Sequence, residues 1–353
     1  MQLAARMPVG IRAAPVAQMC VLAAPESRAS VAKVVRALRA YSMSAVPDMM
    51  CVVAEDPSAS PGLDGFELEL VTRQCNVLGL QPPQRITGIR VGQSGSLVVR
   101  LLSPGSRIIL KITTAADRLA RARLERRLIA NPELALIMPC YVAGTDSHDL
   151  VTLATEAHDP MPPAAAITDS EWNSVAAALG LLHRTPVPGW ANLPRDAPPQ
   201  TAAIAASASA WADRVPVEVA ATAGEIIRNH ITAFATGKVM EHGDCHIENV
   251  VRDRHGRFRW IDWQEARIGD GFSDLAFLWQ RAEFAGARPP REAMTQTYVQ
   301  ARGLTLDPDV CRSLDLAEIR LLFLAWPPFL DYGSPAGQRH MADRLCDLTT
   351  TLR

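Results

Sequence analysis

Residues 242–263, HGDCHIENVVRDRHGRFRWIDW, constrain the fold of this chain more than any other stretch. Val250 and Val251 begin an apolar strand, DRHG supplies a turn, and RFRWID runs back, so the segment reads as a hairpin. The return strand carries Asp262 to the end of the hairpin where Asn249 stands, five residues after Asp244. An acid, an amide and a second acid are thereby gathered at one place.

The spacing of that trio suggests a chemistry. Asp244 and Asn249, with His242 before them, follow the H-x-D-x-x-x-x-N pattern of phosphoryl-transfer catalytic loops. An aspartate beside a hydroxyl can orient it and accept its proton, and an amide oxygen one loop-turn away offers a neutral ligand to a hard cation. Asn249 and Asp262 could then share magnesium with nucleotide phosphates as co-ligands, the usual way that Mg²⁺ is held. Lysine usage adds a second clue: of 36 basic residues only Lys33, Lys111 and Lys238 are lysine. Lys111 sits within the apolar run IILKI, where a cation without a partner is costly, and a compact ammonium in a chain that otherwise writes arginine points to a specific task. The competing reading is a lysine snorkelling from an edge strand. Glu125, in the next helix, is either its partner or one solvated member of a face that also carries Arg121, Arg126 and Arg127.

The rest of the chain supplies a plausible scaffold. With 353 residues and 48% apolar content it can bury one two-lobed or two separate cores. The balance of 36 basic and 37 acidic residues provides no field for nucleic acid. Seven cysteines, odd in number and without a C-x-x-C pair, suit a reducing cytoplasm better than a disulfide framework or a zinc site. No apolar run reaches about 18 residues, so no membrane span is expected. Residues 1–63 form an N-terminal extension of uncertain structure, in which VAKVVRALRAY has helical spacing, PVAQMCVLAAP is too interrupted for a secretory signal, and Met43, Met49 and Met50 leave the true start open. Residues 64–157 read as a helix stopped at Gly79, three strands (85–91, 96–102, 107–113) joined by tight turns, a helix closed by Asn131-Pro132, and two further strands in LIMPCYVAG and DLVTLATEA. Residues 158–353 read as mainly helical, with helices expected in EWNSVAAALGLLHRT, ATAGEIIRNHITAFATG and EIRLLFLAWPPFL around a proline-rich connection. The class is α+β: a small antiparallel lobe with one main helix, followed by a larger helical lobe.

HGDCHIENVV followed by WIDWQEARIGDGFSDLA resembles the signature of the aminoglycoside phosphotransferase and choline kinase superfamily. That resemblance covers about residues 64–340 and implies a bilobal protein-kinase-like fold. It also implies an activity: phosphorylation of a small-molecule hydroxyl by ATP or GTP with Mg²⁺. Asp244 would be the catalytic aspartate, Asn249 and Asp262 the metal ligands, and Lys111, held by Glu125, the contact to the α- and β-phosphates. Ser94 and Gly95 of the GQSGS turn would lie over the phosphates, and Glu156 and Ala157 would form the nucleotide hinge. His242 and Asp274 would brace the loop, and GLLHRTPV would be helix packing. One departure stands out, because Ile247-Glu248 replace the Pro-Gly pair often found before the asparagine. Glu248 therefore either meets a cationic acceptor or faces solvent.

Other chemistries fit less well. The chain has neither G-x-x-x-x-G-K-[ST] nor a G-x-G-x-x-G after a strand. His242, Asp244, Cys245 and His246 are too close on one loop to surround zinc, and Cys245 reads as packing. A catalytically silent nucleotide-binding pseudokinase of the same fold is the alternative from another class. By halves, residues 1–157 carry 17 basic and 13 acidic side chains and residues 158–353 carry 19 and 24. The acidic helical half leans toward a cationic acceptor such as an aminoglycoside, with a metabolite kinase acting on a sugar or amino alcohol close behind. A monomer or homodimer is expected.

Overall fold

The computed structural model describes residues 62–89, 95–195, 199–230 and 237–353. The readings made for residues 1–61, for the turn before Gly95 including Ser94, and for 231–236 lie outside these residues. The first lobe contains α1 (Gly65–Val77), β1 (Arg85–Ile89), β2 (Ser96–Ser103), β3 (Ser106–Thr113), α2 (Leu119–Ile129), β4 (Tyr141–Asp146) and β5 (Val151–Glu156). The five strands form one antiparallel sheet in the order β1-β2-β3-β5-β4. Asp64 and Glu67 close a capping box at the start of α1, and Gly79 follows the helix at φ +65°. The expected strand in LIMPCYVAG begins only at Tyr141, because Asn131 caps a short 3-10 turn at Pro132–Leu134.

Strand alternation sorts the side chains of β3. Leu110 and Ile112 are fully buried against Leu70, Val71 and Cys75 of α1, each contributing about 1.5–3 kcal/mol of transfer free energy. Lys111 must then emerge on the opposite face, toward α2 and the second lobe. β3 is paired on both sides, with β2 and β5, so snorkelling from an edge strand is not what Lys111 does.

The second lobe contains β6 (Asp159–Pro160), α3 (Asp169–Arg184), α4 (Thr201–Trp211), α5 (Val217–Asn229), β7 (Val239–Glu241), β8 (Val250–Arg252), β9 (Phe258–Trp260), β10 (Arg267–Gly269), α6 (Phe272–Phe284), α7 (Arg291–Arg302), α8 (Pro308–Arg320) and α9 (Pro335–Thr351). The helices α4, α6, α7 and α9 go beyond the three expected. EIRLLFLAWPPFL is not one helix: α8 ends at Arg320, a π-turn spans Leu321–Ala325, and Pro327 starts a 3-10 segment. Gly180 lets α3 and α7 approach closely, since a Cβ there would stand 2.6 Å from the Tyr298 carbonyl oxygen. That contact sets His183 of α3 beside Tyr298 of α7. Among the described residues no helix is long and apolar enough to cross a membrane.

Candidate active site

The hairpin expected from the sequence is present. Val250 pairs with Trp260, Val251 with Arg259 and Arg252 with Phe258. The Ile261 N–H donates to the Asn249 carbonyl at 2.9 Å, so Asp262 leaves the hairpin beside Asn249. Asp262 adopts φ +62°, ψ +61° and is the sole non-glycine residue at positive φ among the described residues. A left-handed aspartate costs on the order of 1–3 kcal/mol and persists where its surroundings hold it. Here Lys111 Nζ donates to Asp262 Oδ1 at 2.8 Å, and the Trp263 N–H donates to Glu125 Oε1 at 3.3 Å.

Glu125 is the partner of Lys111, and is not a solvated helix residue. Its Oε2 lies 2.9 Å from Lys111 Nζ and accepts from Gln264 Nε2 at 3.2 Å, with the glutamate side chain only 3% exposed. Burial alone would lower the Lys111 pKa, but the charges of Asp262 and Glu125 outweigh it and hold the ammonium protonated, above its ordinary value. One cation from the sheet lobe is thus clamped between a helix and the hairpin of the second lobe.

Asp274 organises the loop from beneath. It lies in the first turn of α6, where Oδ2 accepts the His242 N–H at 2.6 Å and Oδ1 the Gly243 N–H at 2.9 Å, while His183 Nε2 stands 3.2 Å from Oδ2. His183 Nδ1 meets the Tyr298 hydroxyl at 2.7 Å, so His183 joins GLLHR to α7 on one side and, through Asp274, to the loop on the other. Gly243 has φ +84°, and a Cβ would come within 2.0 Å of the Glu265 carbonyl oxygen, so only glycine fits at this position. His242 is fully buried; its Nε2 donates to the Ile261 carbonyl at 2.7 Å, and its ring packs 4.7 Å from that of Trp263.

Asp244 is held differently. Asn249 Nδ2 donates to its carbonyl at 2.9 Å and to its Oδ2 at 3.2 Å, and His246 Nε2 stands 3.4 Å from Oδ2. Oδ1 is buried with no hydrogen-bond partner among the described residues. Burial would raise this carboxyl, yet the His246 charge and hydrogen bond keep it below the usual carboxylate range. Opposing burial in turn, Asp244 and Glu248 push His246 up to about 9. Glu248 does face solvent in part, but its Oε2 also bonds His246 Nδ1 at 2.6 Å. Sequence spacing pairs neither residue with the other, because the contact exists only once the 3-10 turn Ile247–Asn249 forms.

Gly95 begins the described part of the β2 approach, at φ +62°. At the expected hinge, the N–H of Glu156 donates to the Cys140 carbonyl and that of Ala157 to the Arg107 carbonyl, at 2.9 and 2.8 Å. A nucleotide base there would have to meet the remaining carbonyls. Beside the loop, a cavity of about 610 Å³ opens between α2, residues 190–195, the stretch Gln264–Arg267 and residues 320–325, and Gly243 forms part of its wall. Its size suits a small molecule.

The sheet lobe and the helical lobe, joined where Lys111 meets Asp262, have the arrangement of a protein-kinase-like fold, and the folds of solved phosphotransferases agree. The profile of the phosphotransferase enzyme family matches residues 85–314, and the chain belongs to that family, enzymes with an alcohol group as phosphoryl acceptor. Among solved structures, macrolide 2′-phosphotransferase MphH of Brachybacterium faecium aligns with TM-score 0.54 and 17% identity over 79% of this chain and 98% of that one. Choline kinase LicA of Streptococcus pneumoniae aligns with TM-score 0.53 and 13% identity over 81% and 99%. A spectinomycin phosphotransferase, APH(9)-Ia, solved with ADP and spectinomycin, gives 0.53 and 13% over 80% and 98%. These likenesses concern the fold. No curated protein sequence matches.

Proposed function

We propose that the chain transfers the γ-phosphoryl group of a nucleoside triphosphate, ATP or GTP, to a hydroxyl of a small molecule, with Asp244 as the catalytic base. The observation that carries this reading is the convergence of Lys111, Glu125 and Asp262 from two lobes upon the loop that holds Asp244 and Asn249. In the transfer, the acceptor oxygen forms a bond to the γ-phosphorus as the bond from that phosphorus to the bridging oxygen breaks. The hydroxyl proton passes to Asp244, whose Oδ1 has no competing hydrogen bond among the described residues, and then to solvent. The products are a phosphate monoester, a nucleoside diphosphate and a proton. Lys111 holds the donor phosphates in line, and Glu125 and Asp274 keep lysine and loop in register.

The oxygen donors present fit magnesium. Asn249 commits its Nδ2 to Asp244, which leaves its Oδ1 as a neutral ligand on the strand end from which Asp262 follows. Magnesium commonly takes its remaining ligands from substrate phosphate and water. Bound by Asn249 and Asp262, Mg²⁺ would neutralise charge on the donor phosphates.

A thermal-shift titration with Mg·ATP and Mg·GTP tests the reading. Wild type should gain stability with one or both nucleotides, and Asp262→Ala should lose most of that gain. An equal gain in the variant would remove Asp262 from the nucleotide site.

A further inference from the structure

Six arginines line the cavity beside the catalytic loop, against two carboxylates. Both carboxylates are engaged: Asp274 by the loop, Glu265 by Arg121. Arg267 is paired with Glu241 at 2.8 Å, and Arg320 Nη2 donates to the Ser273 hydroxyl at 2.6 Å. Arg123, Arg127 and Arg195 are held by other means. Arg123 Nη2 donates to the carbonyls of Ser147 and His148 at 2.6 and 3.0 Å, and Arg195 Nη1 to that of Gly237 at 3.3 Å. The Arg127 guanidinium lies 4.4 Å from the centre of the Trp190 ring, which fixes the plane without neutralising the charge. Among the described residues none of the three meets a carboxylate.

Their placement separates them from the donor phosphates. Arg123 and Arg127 stand one turn apart on α2, two residues to either side of Glu125, and so are rotated away from the face that reaches Lys111. Arg195 comes from a different stretch, after α3, and converges on the same space. That space touches Gly243, the neighbour of Asp244, and Gln264, two residues past Asp262. Pre-oriented guanidinium groups are the residues that recognise carboxylate and phosphate. A cationic compound would meet like charge there, which disfavours its binding. The acidic count of the whole helical half is therefore the wrong guide, since of its carboxylates only Glu265 and Asp274 line this cavity and both are already engaged.

We propose that the acceptor is an anionic hydroxyl compound whose carboxylate or phosphate group docks on Arg123, Arg127 and Arg195, leaving its hydroxyl at Asp244. This rests on the phosphotransferase reading above. A matched panel tests it with γ-labelled ATP: glycerate and glucuronate as hydroxy acids, glucose 6-phosphate as a sugar phosphate, glucose as the neutral control, kanamycin and choline as cations. Label should enter the hydroxy acids or the sugar phosphate, and which of the two identifies the docking group. Arg127→Ala combined with Arg195→Ala should raise KM for that acceptor about 10- to 100-fold, the loss of charge-assisted hydrogen bonds, with a much smaller change in kcat. A circular-dichroism melt close to that of wild type separates this from unfolding. Transfer to kanamycin, choline or glucose alone overturns the proposal, as does an anion that alters ATP hydrolysis without being labelled. So does the absence of label in every anion while ATP hydrolysis still depends on Asp244; that result leaves the phosphotransferase reading standing. Hydrolysis indifferent to Asp244→Ala strikes the phosphotransferase reading itself.

Discussion

Asp244 and Asp274 are both buried carboxylates against the same loop, yet they end in opposite states. Asp274, 1% exposed at the start of α6, spends both oxygens on the His242 and Gly243 N–H groups and on His183. Asp244, 4% exposed, has Oδ2 against Asn249 and His246 but leaves Oδ1 without a partner. A saturated acid is a brace, because both of its oxygens are already committed to the loop backbone and to His183. An acid with an open oxygen keeps a valence for something outside the protein, and the fold pays for it with an unsatisfied buried atom. On the proposed reading, the difference separates support from chemistry within one cluster.

The largest effect on stability should follow from breaking the brace. Asp274→Ala strands two N–H groups and a buried histidine, and should cost about 3–5 kcal/mol, as removal of one member of a buried network does. At ~2–4 °C per kcal/mol for a chain of this size, calorimetry should register a fall in Tm of roughly 6–20 °C. A melt equal to that of wild type would mean that Asp274 braces nothing. Next comes the clamp: Lys111→Met removes a charge-assisted contact and should weaken nucleotide binding about 10- to 100-fold by titration calorimetry. Lys111→Arg should rescue little, because a planar fork cannot replace an ammonium between two carboxylates 2.8 and 2.9 Å away.

Asp253 sharpens the comparison at lower cost, as a third buried acid that is saturated like Asp274. Burial pushes it up, but the Arg257 N–H, the Arg259 guanidinium and the His255 N–H outweigh that and hold it well below the ordinary carboxylate range. A carboxyl whose folded pKa is depressed adds stability above its unfolded value, near 3.8, and loses it as the pH falls further. Wild-type Tm should therefore drop as the pH falls below about 4, and Asp253→Asn should start lower, by about 1–2 kcal/mol, and fall less steeply. Identical slopes would remove Asp253 from the acid-sensitive set.

Much of this was legible in the sequence because it depends on short range. The hairpin from Asn249 to Asp262 follows from alternation and a four-residue turn, and Lys111 stood out against a chain that writes arginine. Partnership was harder. Glu125 looked equally at home on the arginine face of α2, and only the docking of Trp263 and Gln264 against it decides its direction. Of the helices that were not expected, α6 is buried nearly all round and shows no polar face to set a period. The sign of the cavity was illegible too: a count over 196 residues cannot tell which side chains of either lobe will face it.

The contrast between the two acids is tested most directly by turnover and nucleotide affinity measured together on Asp244→Asn. The substitution keeps the shape and removes the base, so phosphoryl transfer should fall by on the order of 10²–10⁴-fold while the Kd for Mg·ATP stays within a few-fold and Tm within a few degrees. Transfer at the wild-type rate, or a collapse of the fold like that expected for Asp274→Ala, would contradict the assignment of Asp244 as the reacting acid.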